Sequence, residues 1–412
     1  MTVSSCSNML DLKPTGSFTE EQLDSSSVEG LLSAAYAGLE AHFFGNNEAF
    51  SGPSTNWVFD VRSDDAYKGG GGITMEQNIH QLEISNINSD NVTCLYKWEN
   101  DYYAISRIHK AMNAIEDLNI DNKEAVLGEL KTLRAFFYFD LIRIFKQIPY
   151  FTENEDPDGK RYDEFTRDEI FDKIETDLKE AYAVLPESQI SVGRVNKYVA
   201  AALLARVCAF RSDWNGVVTY SEAVINSGKY QLYDNDGDMS KVAYNNKDES
   251  IFALQCSTAD NNEHINWSNL LNTTYSDGNL FGTGDDFFLG SQNLVNQFRT
   301  DEKGLPYLDG SSDTVKVTDD FQGNVDPRLD FTVGRIGFPF RGHTYSSKWC
   351  RAYDIYGEYS GKKGLIDPSS SDMISGWPWG ASGLNYCFIR YADILLLTAE
   401  AHIELNDNLE QA

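Results

Sequence analysis

GELKTLRAFFYFDLIRIFKQIP, residues 128–149, carries two interleaved apolar rows at helical spacing. Leu130, Leu133, Phe137, Leu141, Ile144 and Ile148 recur at steps of three and four, the period of one helical face. A second apolar row, Ala135, Phe139, Ile142 and Phe145, lies round the side. A helix apolar over most of its circumference must be covered on more than one side. Glu129, Arg134, Asp140 and Arg143 are therefore expected near packed surfaces, paired there, because an unpartnered buried charge is costly. Pro149 stops the helix, since it lacks an amide hydrogen and crowds the preceding turn. The stretch reads as the central helix of a helical array.

Outward from it, Cys94 to Leu118 and Lys123 to Ile148 read as an antiparallel helix pair. Val28 to Phe44 carries helical spacing and closes at Gly45. Thr166 opens a helix with Asp168 and Glu169 in its first turn, which runs to Pro186. Asn196 to Phe210 and Trp214 to Asn226 follow, the second stopped by Gly228. VAAALLARVCAFRSDWNGVV and ADILLLTAEAHIELNDNLEQA superpose at a constant offset, Ala205 on Ala399 and Asp213 on Asp407. Both read as the first helix and turn of a tetratricopeptide-type repeat. Ile394, Leu395, Leu397, Ala401 and Leu405 would then lie partly bare without a partner helix, so the native chain is expected to continue.

Two segments break the helical pattern. Residues 46–90 hold Gly69 to Gly72 and no sustained period, a binding-loop insertion by its composition. Residues 231–386 are rich in Gly, Asn, Asp, Ser and aromatic rings, a loop-rich, partly β excursion from a helical frame. The expected division is a tether at 1–26, a helical region at 27–230, the excursion at 231–386 and a further helical start at 387–412. The fold class is mainly α.

Of 412 residues, 41% are hydrophobic and 13% aromatic, enough for a substantial core. The formal charge of -29 argues against a phosphate-neutralising nucleic-acid face and against a polybasic grip on lipid. The six cysteines are far apart with no CxxC, so zinc is not expected. No run of about 18 apolar residues is present to span a membrane. Val3-Ser4-Ser5-Cys6 fits the small-residue stretch before an acylated lipoprotein cysteine, so Cys6 is the expected lipid anchor.

Catalytic equipment is sparse. Asp64-Asp65 and Asp285-Asp286 are the carboxylate pairs a glycosidase could use, but adjacency is common among 63 acidic residues. DNDGD, Asp234 to Asp238, departs from a calcium loop in the place of its glycine and has Asn245 at position twelve. The histidines form no HExxH, and no GxSxG, P-loop or nicotinamide fingerprint occurs. No metal or cofactor is expected.

What remains is aromatic. Trp57, Trp267, Tyr275, Trp349, Trp377 and Trp379 lie in irregular stretches, whereas Trp98 and Trp214 lie on or at helices and read as core. Sugar rings stack their C–H faces on aromatic rings and need polar groups at their edges. Asp64, Asp65, Asn269, Asn272, Arg341 and Arg351 are placed to supply those edges, and Tyr67 belongs to the binding-loop mixture of Trp57, Asp64, Asp65 and Lys68. The candidate glycan-binding set is Trp57, Asp64, Asp65, Tyr67, Trp267, Tyr275, Arg341, Trp349, Trp377 and Trp379.

The stretch ELKTLRAFFYFDLIRIFKQIPYF resembles the core helix of the SusD/RagB family of Bacteroidetes surface lipoproteins. CSNMLDLKPTGSFT, FTRDEIFDKIETDLKEAYAVLP, GRVNKYVAAALLARVCAF, WNGVVTYSEAVINSGKYQLY, NVDPRLDFTV and FIRYADILLLTAEA resemble it too, in the family's order. The resemblance implies a helical fold of tetratricopeptide-like pairs and a glycan site on a loop-rich region. It also implies a lipid anchor at the outer-membrane surface and a SusC-like TonB-dependent transporter as partner. The family's closing segment, after the AEA helix, is absent. The expected function is non-catalytic glycan binding in a nutrient-uptake complex. The alternatives are a tetratricopeptide scaffold for protein partners and a helical glycoside hydrolase.

Overall fold

The computed structural model describes residues 24–40, 52–259, 264–275, 284–311, 314–374 and 380–410. Its first helices are α1 (Val28–Tyr36), α2 (Trp57–Asp60), α3 (Gln77–Glu83), α4 (Val92–Glu116), α5 (Lys123–Ile144), α6 (Arg167–Val184), α7 (Lys197–Phe210) and α8 (Trp214–Ile225). The strand β1 (Ala66–Gly69) pairs antiparallel with β3 (Phe287–Gly290), and β2 (Ser250–Leu254) with β8 (Tyr386–Arg390). Between β3 and β8 come α9 (Gln292–Gln297), β4 (Arg299–Thr300) with β5 (Asn324–Val325), α10 (Leu329–Thr332), β6 (Pro339–Phe340) with β7 (His343–Thr344), and α11 (Tyr353–Tyr356). The last helix is α12 (Tyr391–Leu405). The fold is mainly α, with short two-stranded ribbons.

Each long helix packs on the next: α4 on α5, α5 on α6, α6 on α7 and α7 on α8, with α12 closing on α8 and α1 lying on α4. The helix α5 is buried on nearly all sides, as its two apolar rows require. Its charges meet partners on its neighbours. Glu129 accepts from Arg194 Nη2 and Nε at 2.7 and 2.9 Å and from the Tyr36 hydroxyl at 2.8 Å. Asp140 is held by Lys97, by Asn56 at 2.9 Å and by Arg143 at 2.7 Å. The helix ends at Ile144, four residues before Ile148, the end expected from its period. Phe145 is already extended, at φ −107° and ψ 126°. Pro149 acts beyond this end: it offers Phe145 O no N–H and keeps Ile148 out of the helical region, so the helix cannot resume there.

Local chemistry sets the other ends. Thr166 and Glu169 cap α6 reciprocally, the Glu169 N–H on Thr166 Oγ1 at 3.3 Å and the Thr166 N–H on Glu169 Oε2 at 2.8 Å. The internal repeat recurs as geometry. The Asp213 N–H bonds Cys208 O at 2.9 Å, and the Asp407 N–H bonds His402 O at 3.1 Å. Ser212 and Asn406, one residue earlier in each copy, are both left-handed, at φ 59° and 53°. The face of α12 expected to lie partly bare is covered in part, with Leu395, Leu397 and Leu405 half-buried. Ile394 and Ala401 are buried and Leu397 packs beside them, because α7 and α8 serve as the partner; the apolar residues left exposed on α12 are Leu396 and Ile403.

Candidate functional site

The two long ribbons frame the site. In β2–β8, Ser250 faces Arg390 and Leu254 faces Tyr386, with irregular register between. This pairing brings Tyr244-Asn245-Asn246 beside Asn385-Tyr386, segments far apart in the chain. The Asn385 N–H bonds Asn245 Oδ1 at 3.0 Å, and Asn245 Nδ2 bonds Gly383 O at 2.9 Å.

Against them lie α2 and the loop before β3, and between is a cleft of about 280 Å³. Its walls carry the rings of Trp57, Tyr233, Tyr244, Phe288 and Tyr386, and the amides Asn245, Asn246, Asn266, Asn269, Asn272 and Asn385. Asp60, Glu249, Lys363 and Arg390 add two charges of each sign. Arg390 Nη1 stands 3.4 Å from Asp236 and 3.7 Å from Glu249, so the DNDGD stretch serves a cationic neighbour.

Most of the amides are spent on holding backbone. Asn266 Nδ2 bonds Leu384 O at 2.8 Å, Asn269 Nδ2 bonds Gly364 O at 2.7 Å and Asn272 Nδ2 bonds Ser268 O at 3.1 Å. This stapling fixes the walls. It leaves Asn272 Oδ1 and Glu249 Oε2 buried without a hydrogen-bond partner. Glu249 Oε2 still has Arg390 Nη1 at 3.7 Å, so Asn272 Oδ1 is the acceptor of this pair that meets no protein donor.

Asp60 is an exposed residue whose carboxyl is nonetheless crowded by protein atoms. Burial, opposed by Arg143 and aided by Asp140, pushes its carboxyl up to about 6. Surrounding protein likewise lifts the Cys387 thiol to about 11, although the residue as a whole is exposed. Lys363, an exposed residue, is drawn down by the protein crowded around its stem and by Arg390. Cys94, Cys208, Cys256, Cys350 and Cys387 are free thiols.

The structure sorts the sequence-predicted residues into several places. Trp57 lines the cleft but is only 4% exposed, its ring against Phe288 at 5.5 Å and Phe287 at 6.2 Å. Trp267 is half-buried and packs between that cluster and Ile265, Ile374 and Ala381. Asp64 and Asp65 present exposed carboxylates and use their carbonyls to receive Ser291, from Oγ at 2.5 Å and from N at 2.8 Å.

Tyr67 and Tyr275 stand near the β1–β3 ribbon, each against a different neighbour. Tyr67 is 37% exposed and leans on Tyr356 at 6.2 Å. Arg351 lies over the Tyr275 ring at 5.2 Å, pairs with Asp285 and sits against Gly71. Lys68 is fully buried beneath, its Nζ donating to the carbonyls of Gly69, Gly72 and Met75 at 3.0, 3.0 and 2.7 Å. Gly70 is glycine of necessity: φ is +74°, and a Cβ would meet the Phe287 ring at 2.5 Å.

Arg341 and Trp349 stand elsewhere. Arg341 donates to Ile366 O from Nε and Nη2, at 3.0 and 2.6 Å, and burial draws its guanidinium down to about 10. Trp349 packs on Tyr345 at 5.5 Å and Phe340 at 6.2 Å. Trp377, Trp379 and Cys6 lie outside the described residues.

Sequence reasoning missed Tyr233, Tyr244, Glu249, Phe288, Lys363, Tyr386 and Arg390. The available signal was the pair of Tyr–Asn runs, Tyr244-Asn245-Asn246 and Asn385-Tyr386, which bracket the excursion.

Comparison with known proteins adds lineage. The profile of a SusD-like family described as starch-binding and associating with the outer membrane matches residues 10–208. The profile of the SusD family matches residues 248–412. "SusD-like protein P2" of Formosa agariphila is 26% identical over 235 residues, 55% of this chain and 44% of that protein. A "SusD-like protein" of Bacteroides ovatus is 27% identical over 175 residues, 38% of this chain and 32% of that one. The chain thus spans less than half the length of these relatives.

A SusD-like carbohydrate-binding protein from Bacteroides fragilis shares the fold at a TM-score of 0.74 and 20% identity, over 93% of this chain and 75% of that one. So does surface glycan-binding protein A from Bacteroides thetaiotaomicron, solved with laminarihexaose, at 0.70 and 18%, over 93% and 79%. With one profile on each side of the excursion's first turns and the fold shared, this chain belongs to the SusD/RagB family.

Proposed function

We propose that the chain is a non-catalytic glycan-binding subunit of an outer-membrane uptake complex, and that the Asn-rich cleft captures oligosaccharide. The observation that carries this reading is a cleft with aromatic walls and amide edges in which Asn272 Oδ1 meets no protein donor. Sugar hydroxyls supply donors at the spacing of a ring's edge, while the C–H faces lie on Tyr244, Tyr386 or Phe288. The two cations balance the two carboxylates, which suits a neutral sugar. Solved family members described as laminarin-binding and as bound to laminarihexaose support the ligand class. Affinity is modest, because such a site exchanges water for similar hydrogen bonds.

The test is affinity electrophoresis and calorimetry with a panel of neutral polysaccharides and their hexaoses. Glu249→Gln and Lys363→Ala should weaken binding of the selected glycan by about tenfold or more. Wild-type binding by both variants would overturn the assignment to this cleft. A transporter of the SusC type as partner and a lipid on Cys6 complete the proposal. They are tested by co-purification from outer membranes and by loss of membrane retention in Cys6→Ser.

One observation favours a hydrolytic reading: Asp60, raised to about 6, shares the cleft with Glu249. Release of reducing sugar by the wild type, abolished in Asp60→Asn, would favour it over simple capture.

A further inference from the structure

A stripe of α4 sets Trp98, Tyr102, Ser106, His109 and Asn113 at steps of three and four, on one helical side. The segment after α5, from Pro149 to Lys160, runs opposite. Between them is a groove of about 460 Å³ that shares no lining residue with the cleft. Four rings follow one another along it. Trp98 lies 4.9 Å from Tyr102, Tyr102 is nearly parallel to Phe151 at 6.1 Å, and His109 meets Phe151 edge-on at 5.4 Å. Trp98, expected as core from its helical position, is half-buried and lines this groove.

The polar groups there set the ligand's character. Lys160 bonds Glu155 at 2.7 Å and Arg134 holds Glu153, so these charges answer one another. Lys110 remains at the rim, too exposed to fix an anion alone. His109 is different: it is 7% exposed, and its Nε2 is buried with no hydrogen-bond partner. Burial and Arg134 draw its ring down to about 4, so it is neutral at physiological pH. A hydroxyl both donates and accepts, and therefore satisfies Nε2 in either tautomer.

We propose that this groove is a second saccharide site, taking a neutral sugar segment with its C–H faces on Trp98 and Tyr102 and a hydroxyl on His109 Nε2. The proposal rests on the chain being a glycan binder but not on the cleft being its site. A polysaccharide long enough to reach both places gains avidity, whereas a hexaose binds each independently.

The test is long-range ¹H–¹⁵N NMR of histidine-labelled protein, with the His109 signals assigned by their loss in His109→Gln. Maltohexaose, laminarihexaose, xylohexaose and mannohexaose are titrated into wild type, Glu249→Gln and Ser106→Arg. A saturable shift of the His109 Nε2 signal is expected in wild type and in Glu249→Gln. Its loss is expected in Ser106→Arg, whose new side chain fills the groove without entering the core. Retention of Ser106→Arg on polysaccharide gels should fall about tenfold. A hexaose that binds by calorimetry yet leaves His109 unmoved overturns the second site and spares the cleft. So does a shift that survives Ser106→Arg. Absence of any sugar binding overturns both readings.

Discussion

Arg134 of α5 and Asp177 of α6 meet in a two-point ion pair, Nε to Oδ2 and Nη2 to Oδ1, each at 2.7 Å. Both side chains are buried, so the pair ties the central helix to its neighbour where water cannot compete. Removing one partner strands the other charge. Asp177→Ala should lower stability by about 3 kcal/mol, with Glu153 left to offset part of the loss. Urea unfolding would show this as a lower midpoint with an unchanged slope.

The glycine loop depends on Lys68. Lys68→Met would leave three backbone carbonyls without their donor, at a cost of about 3 kcal/mol. Amide exchange should quicken first at Gly70, whose N–H bonds Asp286 O at 2.9 Å.

Asp286 sets a pH dependence. Burial pushes its carboxyl up to about 6, against the hydrogen bonds from Ser360 and the Arg351 N–H at 3.1 Å. The folded protein therefore holds this proton more tightly than the unfolded chain does. The stability it contributes is fully present below about pH 4 and is lost as pH rises through about 6. The span is roughly 3 kcal/mol at most. Asp286→Asn should remove that slope, read as the difference between wild-type and variant unfolding free energies from pH 4 to 7.

Trp57 and Tyr67, grouped together from sequence, should part in mutation. Trp57→Ala empties a core position and should cost about 3–5 kcal/mol, so any loss of glycan binding must be scored against folded protein. Tyr67→Ala removes an exposed residue and should change stability by less than about 1 kcal/mol. Thermal unfolding of the two variants separates them.

The helical frame was legible because its signals are local. The period of α5, the Thr166 and Glu169 cap, and the turn shared by Ser212 and Asn406 each involve residues within a few positions of one another. Backbone geometry ties such residues together wherever the segment lies, so the array and its repeat could be read before any tertiary contact was known. The site was not local. Glu249 and Arg390, or Asn245 and Asn385, become neighbours only when β2 finds β8, and nothing within either segment encodes that meeting. Exposure was equally a tertiary matter. Trp57 in an irregular stretch is packed on two phenylalanines, while Trp98 on a helix lines a groove, because what covers an aromatic ring is contributed by distant chain.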